Sequence, residues 1–420
     1  MKSMLSARIV FALTFEGASG EVMGIVYSEE CFMEKIKSLF CGKAFTPFVC
    51  LKDVRIDIED EVISSISDSS SCDANSRDFS ELNIAPGFVD VHIQGCGGAD
   101  FLNADPDAVR TIRKTALMGG CTSLLATTTF DKESGAFERL KKLISAIEEG
   151  EKDPQGARIV GIHLEGPYLN PEKRGGFGLR YFRNPGMEDF QRILDIVGNR
   201  LKMITISPEL PGAFDVIREA VARGIIVSLG HSVADRDTTV DAFNAGSDHV
   251  THLFNAMSGI HHRNPGMAGA ALSDERVFVQ VIPDGVHLHP DILRLIYKIK
   301  GPSGTCLITD ATAPCGLPDG TQMQGVGGTI SVKDGGVRLP DGTLAGSALM
   351  MDEAVRRMKD LAGISIRESL VMSSLTPARS IRMEETIGSI NPGSLADFIL
   401  FDDDLKIHYL VTGGKLIPAE

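Results

Sequence analysis

From Pro86 onward one pattern repeats along the chain: a short apolar run, a polar or glycine-rich turn, then a stretch with helical spacing. The runs are Phe88–Val91, Thr122–Thr127, Ile159–Leu164, Met203–Ile206, Ile225–Leu229, His249–Thr251, Phe278–Ile282 and Thr305–Ile308. Amphipathic stretches such as Phe137–Glu148 and Phe214–Ala222 separate most of them. Strand and helix alternating in this way predict a (β/α)8 TIM barrel over residues 86–377 rather than a doubly wound sheet. The sixth run carries the weakest strand signal.

The flanks read differently. Residues 1–85 are β-rich and irregular, with strand-like pieces at Ala7–Phe15 and Val54–Ile58 and a polar, Ser-rich loop at Asp68–Ser80. Within residues 28–50, Glu34, Lys35, Ile36 and Phe40 suggest a short helix. Beyond the eighth run, Cys315–Gly346 is Gly-rich, and Thr329–Val332 and Val337–Leu339 flank an Asp334-Gly335 hairpin turn. Helices are expected at Met351–Leu361 and Ile366–Ser374, and strand character returns at Asp397–Thr412. Residues 1–85 and 378–420 are therefore expected to pair as a small β-sandwich-like domain beside the barrel.

The chain has 420 residues, enough for such a barrel and a smaller domain. Its formal net charge of −14 makes nucleic acid and anionic membrane poor partners, so an anionic ligand needs a local cationic pocket. Eight cysteines without a CxxC pair do not read as a disulfide framework or zinc knuckle. Cys96, Cys121 and Cys306 lie in apolar or Gly-rich runs and read as buried thiols. The run Ile9–Leu13 after Lys2 and Arg8 is too short for a secretory signal and reads as a strand. No run approaches the roughly 18 apolar residues of a membrane span, so a cytoplasmic protein is expected.

Barrel enzymes carry their chemistry at the C-terminal ends of the strands. The expected ends here hold His92, Glu165, Ser207, His231, His252, Asp284 with His287, and Asp310. In Phe88–Gln94, alternation puts Asp90, His92 and Gln94 on one face. His-x-His there would give two nitrogen ligands to a metal. His-x-Gln offers a weaker pair, so His92 and Gln94 read either as a loose second metal site or as hydrogen-bonding groups. Glu165 ends an apolar strand before Gly166-Pro167, and a carboxylate buried there needs a cation or strong donors. His231 and His252 follow successive strands; with Glu165 they make three ligands, leaving a fourth position for water, the pattern of a catalytic zinc. His163 and His249 read as structural. Asp310, at the eighth strand end, can take a proton from an activated water, the alternative being a turn cap. Arg263, in His261-His262-Arg263, offers planar recognition of a phosphate, the alternative being a solvated basic loop.

Together the motifs resemble the N-acetylglucosamine-6-phosphate deacetylase family of the amidohydrolase superfamily. They are Pro86-Gly87-Phe88-Val89-Asp90, His163-Leu164-Glu165-Gly166-Pro167-Tyr168, Leu229-Gly230-His231-Ser232, Thr251–Met257, Asp284-Gly285-Val286-His287, Thr309-Asp310-Ala311 and Leu344-Ala345-Gly346-Ser347. The resemblance implies one divalent ion per subunit, zinc before iron, cobalt or manganese, on Glu165, His231 and His252, with Asp310 as general base and acid. It implies a phosphorylated amino sugar held by Asn255, Ala256, Arg263 and His287 with Asp284, by the backbone of Leu344, Ala345 and Gly346, and by Gly176 and Phe177. It also implies a homodimer. The chain departs from the family in two places. Phe177 follows Lys173-Arg174-Gly175-Gly176 where a His is usual, and His92 is paired with Gln94. Two rivals stay open: another amidohydrolase, which would usually keep His-x-His and often a carboxylated Lys, and a catalytically dead scaffold, which has no need to keep these four residues together.

Overall fold

The computed structural model describes residues 34–68, 72, 76–133 and 135–419, so the strand expected at Ala7–Phe15 lies outside the described residues. Eight parallel strands form the centre: β1 Phe88–Ile93, β2 Cys121–Thr128, β3 Arg158–Glu165, β4 Leu201–Ile206, β5 Ile226–Leu229, β6 His249–Val250, β7 Phe278–Val281 and β8 Thr305–Leu307. They are hydrogen-bonded in sequence order from β1 to β8. Just past β8, Ile93 bridges Ala311 in parallel, Asp310 N donates to His92 O (2.9 Å) and Gln94 N to Ala311 O (2.9 Å), which brings the ends of the sheet together. The structure is a (β/α)8 barrel. β2 is buried at every residue, as a strand covered on both faces must be. β6 is only two residues long, which explains its weak signal.

Helices follow the strands: α1 Pro106–Met118, α2 Ala136–Gly150, α3 Met187–Val197, α4 Ala213–Ala222, α5 Arg236–Asn244, α6 Gly266–Ser273, α7 Pro290–Gly304 and α8 Met351–Ala362. Their apolar stripes explain the spacing seen in the sequence. In α2, Phe137, Leu140, Leu143, Ile144 and Ile147 are buried while Lys141 and Lys142 are exposed.

A second eight-stranded sheet joins both ends of the chain. Its order is Glu34–Lys35, Lys415–Pro418, Ile407–Thr412, Phe398–Phe401, Arg77–Pro86, Ser38–Phe45, Cys50–Glu59 and Val62–Asp68. Leu39, Ile56, Ile84, Phe398 and Leu400 share its apolar cluster, so strands more than 300 residues apart are held by one core. The helix expected near Glu34–Phe40 is not formed: Glu34–Lys35 and Ser38–Phe45 are strands. The reason is tertiary. Ser38–Phe45 is paired on both sides, and at Gly42 an added Cβ would lie 2.3 Å from Ser80 O, a closeness only glycine permits. The expected Asp68–Ser80 loop is likewise shorter, because the strand begins at Arg77.

The Gly-rich segment after β8 is a four-stranded antiparallel flap of Gln322–Gly325, Gly328–Lys333, Gly336–Arg338 and Leu344–Ser347. Its hairpin at Asp334-Gly335 lies where the sequence placed it, with both residues at positive φ. A parallel bridge from Ala311 to Ser347 ties the flap to the mouth of the barrel. No helix among the described residues is long and apolar enough to cross a membrane.

Candidate active site

Strand geometry delivers the polar groups to one spot. Glu165 is the last residue of β3, and His231, His252 and Asp310 lie just past β5, β6 and β8. His231, His252 and Asp310 have φ of 49°, 31° and 48°, as do Phe254 (75°) and Ala256 (49°) beside them. Left-handed backbone at non-glycine residues costs on the order of 1–3 kcal/mol each and persists where the surroundings dictate it. Here it turns three chemically active side chains inward from strand ends.

The contacts are tight. Glu165 Oε1 lies 3.2 Å from His231 Nε2 and 3.1 Å from His252 Nε2, and the two nitrogens are 3.1 Å apart. His231 Nδ1 lies 2.7 Å from the carbonyl oxygen of Lys173. A carbonyl can only accept, so Nδ1 carries the proton and Nε2 of the neutral ring presents a lone pair. That lone pair faces a carboxylate oxygen and a second imidazole nitrogen, an arrangement a cation satisfies. Ligand atoms on a tetrahedral zinc at 2.0–2.1 Å stand about 3.3 Å apart, close to the separations here. The backbone-anchored Nδ1 is the usual support of a metal-ligating His. The three residues therefore fit a divalent ion.

A second cluster shares Glu165. His92 Nε2 is 3.2 Å from Glu165 Oε2 and 3.2 Å from Asp310 Oδ1. Gln94 Nε2 donates to Glu165 Oε2 (2.8 Å) and approaches Asp310 Oδ1 (3.5 Å). Among these side chains alone, burial opposes charge on His92, but Glu165 and Asp310 outweigh it and raise the imidazole to about 10. Burial would raise Glu165, yet His92 and the hydrogen bonds of His231 and His252 hold it well below the usual range. Asp310 is raised, first by burial and then by Glu165, with His92 opposing. Asp310 thus holds a proton more readily than an exposed aspartate.

These groups floor a cavity of about 220 Å³. Gln94, Glu165, His231, His252 and Asp310 line it, with Gly176 and Phe177 on one side and Asn255, Ala256 and His287 on another. Leu344, Ala345 and Gly346 of the flap close it from above. His287 Nδ1 donates to Asp284 Oδ2 (2.6 Å), so Asp284 supports the cavity from behind His287 rather than lining it. His92 is fully buried below the floor. Arg263 is not on the lining either; it lies on an exposed loop, with Nη1 2.7 Å from His262 Nε2. His163, between Thr127 and Thr205, and His249 are buried away from the lining. Ser207 has a structural task, donating to His231 O (2.6 Å) and accepting from Asn170 N (2.8 Å).

Sequence reasoning missed Asp100, which lines the cavity and whose Oδ1 accepts from Leu102 N (2.8 Å). It ends the two-residue strand Ala99–Asp100, which pairs with Gly95–Cys96 outside the barrel, and no spacing marks it. Thr312 and Val326 were missed as well. Phe177 is buried with its ring edge-on to His231, centroids 5.3 Å apart, beside Tyr181, Phe182 and Val326.

Residues 83–417 match the amidohydrolase family. An N-acetylgalactosamine-6-phosphate deacetylase of Escherichia coli O157:H7 is 34% identical over 366 residues, 87% of this chain and 95% of that one. The N-acetylglucosamine-6-phosphate deacetylase of Bos taurus is 35% identical over 81% of this chain and 85% of its own. Among solved structures, the N-acetylglucosamine-6-phosphate deacetylase of Pasteurella multocida superposes with a TM-score of 0.84 at 30% identity, covering 91% of this chain and all of that one. A mutant of the Mycobacterium smegmatis enzyme, in complex with N-acetyl-D-glucosamine-6-phosphate, gives 0.83 at 30% identity, over 91% of this chain and 99% of that one. With the match spanning barrel and flanking sheet alike, the chain belongs to the amidohydrolase family, as a metal-dependent hydrolase.

Proposed function

We propose that the protein removes the acetyl group from N-acetylglucosamine 6-phosphate, giving glucosamine 6-phosphate and acetate. The observation that carries the chemistry is the convergence of Glu165, His231 and His252 within 3.2 Å of one another, with Asp310 on the same floor. The relatives support the substrate. Zinc is the proposed ion, given two imidazoles and one carboxylate. When bound, it polarises the amide carbonyl and acidifies a water at neutral pH.

The chain supplies the rest. Asp310 accepts the proton of the attacking water and returns it to the departing nitrogen. His287, its Nδ1 held by Asp284, lines the cavity; its Nε2 can accept from a sugar hydroxyl, or donate to the developing oxyanion when the ring is protonated. Gly176, Asn255, Ala256 and the Leu344–Gly346 backbone enclose the sugar. Phe177 gives the cavity an apolar wall beside His231.

Arg263 is proposed to read the phosphate. Its exposed loop also carries Ile260, half exposed, and Arg263 lies off the lining of its own chain's cavity. We therefore assign the protein as a cytoplasmic homodimer in which this loop reaches the partner's site. On this reading Arg263→Ala raises KM for the phosphorylated sugar and leaves the unphosphorylated sugar unchanged.

Acetate release from N-acetylglucosamine 6-phosphate, with metal content assayed on the same sample, tests the proposal. Release with about one ion per chain, as a three-ligand site implies, supports it. Metal without release points to the second reading, N-acetylgalactosamine 6-phosphate, which the Escherichia coli relative favours. Neither metal nor release after zinc is restored sinks the hydrolase.

A further inference from the structure

A second cavity adjoins the first, and the mechanism above does not use it. It has a volume of about 430 Å³, in the range of small-molecule sites. The two cavities share walls. Asp100 faces the first, while Leu102, Asn103 and Ala104, just after it in the chain, face the second. Phe177 faces the first and Tyr181 the second, their rings 6.3 Å apart.

The lining is mixed. Phe130, Leu140 and Leu143 are apolar members, and Arg139, Lys142 and Arg180 are cationic ones. Asp131 is the acid on the lining, and it pairs with Arg139. Glu133, whose charge Arg180 also feels, is exposed and off the lining. Arg180 donates to Tyr181 Oη (2.8 Å) and stacks over that ring, but ion-pairs with no carboxylate among the described residues. Lys142 has no ion-pair or hydrogen-bond partner among the described residues. Thr129, buried on the same lining, has a hydroxyl without a hydrogen-bond partner. Two cations without a carboxylate partner in one concavity are unusual in a chain of net charge −14.

We propose that this cavity is a second binding site, for a small phosphate monoester. Lys142 and Arg180 take the phosphate, and Phe130, Leu140 and Leu143 meet the apolar face of its body. A guanidinium and an ammonium suit phosphate oxygens, the first as a planar fork and the second as a point charge. The proposal does not depend on the identity of the reaction next door.

The test is calorimetric titration of the metal-loaded protein with phenyl phosphate and, separately, with inorganic phosphate at low ionic strength. Four proteins are compared: the parent, Lys142→Glu, Lys142→Ala/Arg180→Ala and Arg263→Ala. Lys142→Glu touches no other contact, and its thermal midpoint checks the fold. The expected result is that both Lys142 variants lose at least tenfold in affinity for one class of site. Phenyl phosphate should bind that class more tightly than inorganic phosphate, because of the apolar wall. Binding in both Lys142 variants that matches the parent overturns the proposal. So does a parent with one class that Arg263→Ala alone abolishes. Loss in the Lys142 variants with none in Arg263→Ala leaves the second site standing and removes only the phosphate role given to Arg263.

Discussion

Asp310 and Phe177 lie on the same cavity but answer to different forces. Asp310 is outside the triad of Glu165, His231 and His252, so Asp310→Asn keeps those ligands and removes the proton acceptor. The expected outcome is a fall in kcat of about 10²–10⁴-fold with metal content unchanged, checked by acetate release and metal analysis. Turnover like the parent's would remove Asp310 from the mechanism. Phe177 buries a large ring against Tyr181, Phe182, Val326 and the edge of His231. His231 is aimed by its hydrogen bond to Lys173 O, not by that ring. Phe177→Ala should therefore cost about 3 kcal/mol of stability, the lower end for a buried Phe, while retaining the metal. Denaturation and metal retention together test this; loss of metal at unchanged stability would place Phe177 in the support of His231.

At the scale of elements, what could be read from the sequence followed what each segment contacts. The barrel strands were legible because burial on both faces makes them continuous apolar runs, and because each active residue stands at a run's end. Ser38–Phe45 was not, since its partners are Arg77–Pro86 and Cys50–Glu59 and its core includes Phe398. Nothing local records such contacts, and Glu34 to Phe40 alone read as a helix. Asp100 went unread for a related reason: it ends the two-residue strand Ala99–Asp100, too short to leave a period in the sequence. The flap's hairpin was legible from Asp334-Gly335, but its role was not. Gly346 shows that role, at φ +81° with an added Cβ 2.5 Å from Thr312 Cγ2 and 2.8 Å from Asp310 O. Only glycine allows the flap to press on the strand end that carries Asp310. Gly346→Ala should displace both, lowering kcat/KM by about tenfold or more, since misplacing a site by about 1 Å can cost 10²-fold. Metal content should be unaffected, because Gly346 touches none of Glu165, His231 and His252. Steady-state kinetics with metal analysis decide, and unchanged kinetics would mean that the flap does not set the position of Asp310.

Closing the barrel joins residues 219 positions apart, and the joint is ionisable. Asp90 on β1 accepts from Thr309 Oγ1 beyond β8 (2.6 Å) and from His92 N (3.1 Å). Burial raises its carboxyl from 3.8 to about 6, against the hydrogen bonds of Thr309 and His92. An acid whose folded value is raised favours the fold when neutral. Its contribution is present below about pH 4, the unfolded value, and is lost as pH rises through about 6. The loss amounts to about 3 kcal/mol, from a shift of roughly two units at 1.36 kcal/mol each. Glu165 and Asp284, lowered in the fold, act in the opposite direction, so the pH dependence of the parent alone does not isolate Asp90. The difference from Asp90→Asn does. The amide can accept at one atom from His92 N and donate at the other to Thr309 Oγ1, whose own proton turns to His92 O (3.4 Å). The network survives without an ionisable group. Stability from denaturant titration, measured at intervals between pH 4 and 7, should show the variant gaining on the parent by a few kcal/mol across that window. Parallel curves would mean that Asp90 keeps one protonation state throughout, and that this joint between first and last strand is held without regard to pH.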